Sequence, residues 1–257
     1  MSRAITSLPA ELTEGGQYHL EADLEGPAGD YSLRISAPAV TVDLQGFTLR
    51  SKADVAILLN AAEFSLRGGA VEAGGVALAP EPHIHADHCV LEDLVVSGGL
   101  FVGGRGLLAT RCQVRGGAFG IKAGESAQLS HCAAEACFLG LEVAAGSRIE
   151  SCTVRECEEG VYAYGSRDLP CHLEGVVVYE CRGLGLRLDG PGTLLRCEAH
   201  HNGQDEPAGG LLAGPAAAVR DCEAFGNAGG DIAIVEPCEL SGNRTSDGSG
   251  QDSTASP

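Results

Sequence analysis

Apolar positions along this chain recur in one unit, whose clearest copy is residues 147–165, SRIESCTVRECEEGVYAYG. Two further copies are LSHCAAEACFLGLEVAAG (129–146) and LEGVVVYECRGLGLRLDG (173–190). Each has an apolar residue, then a Cys or Val three positions on, a small apolar residue two further, and a Cys or Asn three beyond that. A Gly and an alternating apolar pair follow. The middle anchor falls at Leu94, Cys112, Cys132, Cys152, Val176, Cys197, Cys222 and Cys238, at gaps of 18, 20, 20, 24, 21, 25 and 16 residues. Short β-prone runs repeating near every 20 residues predict a solenoid. In the 149–163 copy, Ile149, Cys152, Val154, Val161 and Ala163 point inward, with a bend at Cys152 and a turn at residues 156–159. Each coil then holds three short parallel strands, and about nine or ten coils stack at roughly 4.8 Å.

The first 30 residues read as an N-terminal cap, with a turn at Glu14–Gly16 leading into a strand. Leu33/Ile35 and Val40/Val42/Leu44 alternate at period two before Gln45-Gly46 turns into Phe47-Thr48-Leu49. Residues 1–244 form one domain, and residues 245–257, rich in Ser, Asp and Gly, read as a disordered polar tail. Longer turns interrupt the spacing at 79–89 (APEPHIHADHC), 164–172 (YGSRDLPCH) and 201–209 (HNGQDEPAG). Long turns of a solenoid tend to gather on its functional side.

"YSLRISAPAVTVDLQGFTL" and "FSLRGGAV", followed by the Cys-anchored repeats, resemble the right-handed parallel β-helix proteins of the pectin-lyase-like superfamily. The likeness covers roughly residues 17–243. It implies an all-β, right-handed parallel β-helix. It also implies a substrate groove along the strand that follows each Gly, walled by the longer turns. The superfamily includes lyases, hydrolases, epimerases and proteins without catalysis.

Charge narrows the partners. With 17 Lys and Arg against 35 Asp and Glu, the net charge is −18. Nucleic acid and anionic membrane both need a basic face, so neither is expected. The 11 cysteines fall mostly at inward positions. They read as small buried hydrophobes in a reducing compartment. The N-terminus MSRAITSLPAELTEGG has no apolar signal core, so a cytoplasmic protein is expected.

Candidate chemistry lies on the strand after each Gly. Its outward residues form a column Lys122, Glu142, Tyr162, Arg187, Leu212 and Ala233, with Tyr164 and Asp189 beside it. Such a strip can also be a plain solvated face with cross-strand ion pairs. As a lyase or epimerase site, Tyr162, His85 or Lys122 would be the base, and Arg187 or Lys122 would neutralise a substrate carboxylate. As a glycoside hydrolase, Glu142 would need a second carboxylate, from Asp189 or from Asp168 in its loop. The turn His83-Ile84-His85-Ala86-Asp87-His88 adds imidazoles able to contact a sugar. No cofactor is expected, although His83, His85 and Asp87 have spacing that suits a divalent metal. The leading expectation is a carbohydrate-active β-helix protein acting on or binding a sugar or uronate in a groove along one strand face, by lyase- or epimerase-type proton abstraction. The alternatives are a non-catalytic intracellular scaffold or binding module, and a glycoside hydrolase. A homo-oligomer fits either role.

Overall fold

The chain builds a parallel β-solenoid of about eleven turns without a helix, here in a computed structural model that describes residues 2–203, 209–246 and 253–254. Three strands per coil give three faces. In the Cys152 coil they are Arg148–Glu150 on the first face, Thr153–Arg155 on the second and Glu159–Tyr164 on the third. Each pairs in parallel with its equivalents above and below. Ile149 lies between Leu129 and Leu173, Val154 between Ala134 and Val178, and Val161 between Leu141 and Leu186.

The alternation read from sequence becomes the core directly. Period two sends Ile149, Val154, Val161 and Ala163 inward, where they are fully buried. Equivalent residues stack into columns such as Leu129, Ile149, Leu173, Leu194 and Val219, all buried. The chain has no Trp, and a single Phe, Phe64, is among the fully buried side chains of the interior.

The corner between the first and second faces is two residues wide, Ser151 and Cys152 in this coil. Arg111, His131, Ser151, Arg196 and Asp221 occupy the left-handed region there, with φ between 51° and 54°. Side chains other than Gly seldom adopt it. The coil above holds the bend, because Ser151 donates its N–H to the Glu174 carbonyl and Arg196 its own to that of Arg220. The bend thus includes the expected Cys152, with the left-handed residue, Ser151, immediately before it.

Two columns of small polar side chains line the corners. Cys112, Cys132 and Cys152 stack in one, and Cys137, Cys157 and Cys181 in the other, which continues into Asn202 and Asn227. Asn202 accepts the Cys181 N–H on its amide oxygen at 3.0 Å and donates to the Val178 carbonyl at 3.1 Å. The cysteines do more than fill space. The Cys132 and Cys137 N–H groups point at the sulfurs of Cys152 and Cys157 at 3.4 Å, a weaker version of the same bridge. All 11 thiols are free. Burial pushes the Cys89 thiol up to about 11.

The count of turns and the last anchor differ from expectation. The stack has about eleven turns rather than nine or ten, because the first 30 residues are themselves coils: Arg3–Ile5 pairs with Tyr18–Leu20. The repeat anchor of the last coil is Asn243, whose amide oxygen receives the Cys222 N–H. Cys238 belongs to another corner, where its thiol meets the Gly214 and Val235 carbonyls. In the expected C-terminal tail, Thr245 ends a strand and Ser253–Thr254 pairs with Ala233 and Ile234; residues 247–252 and 255–257, like Asp205 and Glu206 of the 201–209 turn, lie outside the described residues.

Candidate functional site

The outward column on the third face is in register as expected: Lys122 faces Glu142, Glu142 faces Tyr162, Tyr162 faces Arg187 and Arg187 faces Leu212 across adjacent strands. Tyr164 and Asp189 are likewise opposite. Two independent contact sets hold this strip.

At its lower end the Lys122 ammonium meets the Glu142 carboxylate at 2.9 Å. It also lies over the Phe119 ring, 4.6 Å from the centroid, with Phe101 at 5.9 Å. A cation over an aromatic face is held by the ring quadrupole.

At the upper end the Arg187 guanidinium donates to Asp189 at 2.9 Å and lies 5.7 Å over the Tyr162 ring. Asp189 holds the Arg187 guanidinium in its charged form. Tyr162 donates its hydroxyl to Glu159 at 3.2 Å, and the same Glu159 oxygen accepts the Leu184 N–H at 3.1 Å. Tyr162 and Tyr164 meet edge to face with centroids 6.4 Å apart. Tyr164 is the exposed member at 41%.

Protonation follows from these surroundings. Burial and the Glu159 carboxylate push the Tyr162 hydroxyl up to about 12. Burial first, then Glu142 and Asp189, raise Tyr164 as well. A general base needs a proton affinity matched to the working pH. Tyr162 is displaced away from that range, and Lys122 and Arg187 are already paired. The strip can donate and accept hydrogen bonds and offer an aromatic surface.

The longer turns lie elsewhere. Residues 81–89 fold onto the next coil's corner: Asp87 accepts the Arg105 N–H at 2.7 Å and the His88 N–H reaches the Arg105 carbonyl at 2.7 Å. His83, His85 and His88 are exposed there. Residues 165–170 also lie along the corner, where the Gly146 N–H bonds the Leu169 carbonyl at 2.9 Å; Asp168 is exposed. Among the described residues, neither turn makes a hydrogen bond or ion pair to Lys122, Glu142, Tyr162 or Arg187. No group of three or more His, Cys, Asp or Glu is gathered as metal ligands among them either.

The sequence reading passed over the second face. Three residues beyond each anchor stand Arg115, Glu135, Arg155, Tyr179, His200 and Phe225, outward and stacked in that order. His200 stacks flat on Phe225, with centroids 5.8 Å apart and planes 3° apart. A concavity of about 330 Å³ opens at the lower part of this column, and none of its lining residues belongs to the third-face strip. The anchor spacing contained this column, readable by the same offset rule that gave the third-face strip.

No protein family and no curated protein matches the chain. Among solved structures it is similar to the Dettilon tailspike protein (gp208), with a TM-score of 0.65 and 15% identity. The alignment covers all of this chain and 61% of that one. At this identity the likeness is one of fold: both are parallel β-helices.

Proposed function

We propose that this chain is a non-catalytic saccharide-binding β-helix and that the third-face strip is its binding surface. The observation that carries the reading is the edge-to-face Tyr162–Tyr164 pair, with Tyr164 exposed, set between the Arg187–Asp189 and Lys122–Glu142 ion pairs. An exposed ring supplies an apolar platform for the C–H face of a sugar, and the flanking charged groups supply hydrogen bonds to its hydroxyls. Repeating strands about 4.8 Å apart give an extended chain a regular series of contacts. The similarity to a tailspike protein adds support at the level of fold alone.

Catalysis by proton abstraction is the weaker reading, because Tyr162 is held protonated by burial and by Glu159. The deciding experiment is binding of the full chain to an oligosaccharide panel, with product analysis of any ligand found. The expected result is saturable binding that Tyr164→Ala weakens at least tenfold at unchanged melting temperature, with the ligand recovered intact. Failure to bind any member of the panel sinks the reading. Turnover that Tyr162→Phe abolishes would restore the lyase or epimerase reading.

A further inference from the structure

The second-face concavity has the composition of a ligand site, and it stands apart from the third-face strip. Its shape comes from side-chain size. Ala133 and Thr153 occupy outward positions in successive coils, opposite each other in register. Longer side chains rise around them. Gln113 stands one coil below Ala133, and Arg115, Glu135 and Arg155 form the neighbouring column. The result is a depression of about 330 Å³.

Its chemistry is uneven. Glu135 is clasped by Arg115 at 2.8 Å and by Arg155 at 2.7 Å. Two guanidiniums therefore share the one carboxylate of the lining. Glu156 touches Arg155 at 3.5 Å from the turn and does not line the depression. In a chain of net charge −18, the lining itself carries two guanidiniums and one carboxylate. Arg115 holds its partner while remaining 71% exposed, which leaves donors of its fork unused. Among the described residues, the Gln113 amide and the Thr153 hydroxyl make no side-chain hydrogen bond. Val95, 56% exposed, gives the depression an apolar wall.

We infer that this depression binds a small hydroxy acid. Its carboxylate pairs with the free side of Arg115 and with Arg155, its hydroxyl meets Thr153 or Gln113, and its carbon body lies on Val95 and Ala133. A planar guanidinium fork suits a carboxylate, and two forks around one shared anion leave room for a second. The volume admits an acid of about ten heavy atoms, given that an engineered cavity of roughly 150 Å³ takes benzene.

Mandelate is the probe, because it carries a carboxylate, an adjacent hydroxyl and a compact apolar ring. Mandelamide is its neutral counterpart. Both are titrated into the full chain and followed by calorimetry. The expected result is saturable millimolar binding of mandelate, at least tenfold stronger than that of the amide. Ala133→Leu, which fills the depression, and Arg115→Gln each weaken it at least tenfold at unchanged melting temperature. Tyr164→Ala, on the other face, leaves it unchanged. No saturable binding at tens of millimolar overturns the inference, and so does equal binding of the amide. Mandelate binding lost in Tyr164→Ala but kept in Ala133→Leu places the anion on the third face; that overturns this site and leaves the saccharide reading standing.

Discussion

Asn202 joins three coils through one buried side chain. Its amide accepts from Cys181 and donates to Val178 and to Asn227, whose oxygen also takes the Asn202 N–H. Truncation to Ala would leave a buried N–H and a buried carbonyl unpaired, each worth about 1–3 kcal/mol. Asn202→Ala is therefore expected to lose about 2–4 kcal/mol in urea unfolding; a loss below about 1 kcal/mol would mean that water replaces the amide. Tyr162 gives a prediction of opposite character, in pH. Its folded value of about 12 lies above the ordinary tyrosine value, so folding favours the protonated hydroxyl. The resulting stability is complete below about pH 10 and declines as pH rises towards 12. Wild type should lose stability across that window relative to Tyr162→Phe, measured as the difference between the two unfolding curves. Parallel curves would refute the raised affinity that burial and Glu159 give this hydroxyl. The position of both tyrosines was legible from register, but their proton affinities were not. Those depend on burial first, and then on side chains brought close by the fold: Glu159 for Tyr162, Glu142 and Asp189 for Tyr164.

Across coils, a Gly at the start of each third-face strand lets neighbouring coils approach closely. Gly120, Gly140, Gly160, Gly185 and Gly210 occupy equivalent places in successive coils. A Cβ on Gly160 would land on the Gly185 carbonyl oxygen, and one on Gly140 on the Val154 side chain. The requirement is close approach rather than backbone freedom, since none of these five adopts a positive φ. Gly160→Ala must push two coils apart, and overpacking of this kind costs about 1–3 kcal/mol or more. The variant is expected to unfold at least about 2 kcal/mol more easily, whereas Ala144→Gly, on the outer side of the same face, should shift by less than about 1 kcal/mol. Equal effects would remove the steric account. The Gly was visible in the sequence as the punctuation of each repeat, and so were the inward Cys and Val positions. The register of the last coil was not, because Cys238 imitates an anchor while the true one, Asn243, differs in residue type. The course of the two longer turns was equally hidden. Asp87 bonding the Arg105 N–H and Leu169 bonding the Gly146 N–H both depend on a neighbouring coil's backbone, which no local pattern encodes.

For the whole rod, the surface balances paired charges against a large surplus. Arginines join carboxylates from coil to coil, as in Arg50 with Asp23 and Glu72, Arg111 with Glu92 and Asp93, and Arg220 with Glu239. These pairs are largely solvent-exposed, and such pairs are worth about 0–1 kcal/mol each. The surplus of 18 negative charges acts on every coil and favours expansion. Salt screens both, shortening the Debye length from about 30 Å at 0.01 M to about 8 Å at 0.15 M. These pairs, at 2.6 to 3.1 Å, lie well inside either length, whereas repulsion between coils several strands apart lies between the two. Screening therefore removes more repulsion than attraction. The melting temperature is expected to rise by several degrees from 10 to 150 mM sodium chloride, measured by circular dichroism at constant pH. A fall over that range would mean that the coil-to-coil ion pairs outweigh the net charge. Arg111→Gln, which frees Glu92 and Asp93 and raises the surplus by one, should steepen the rise.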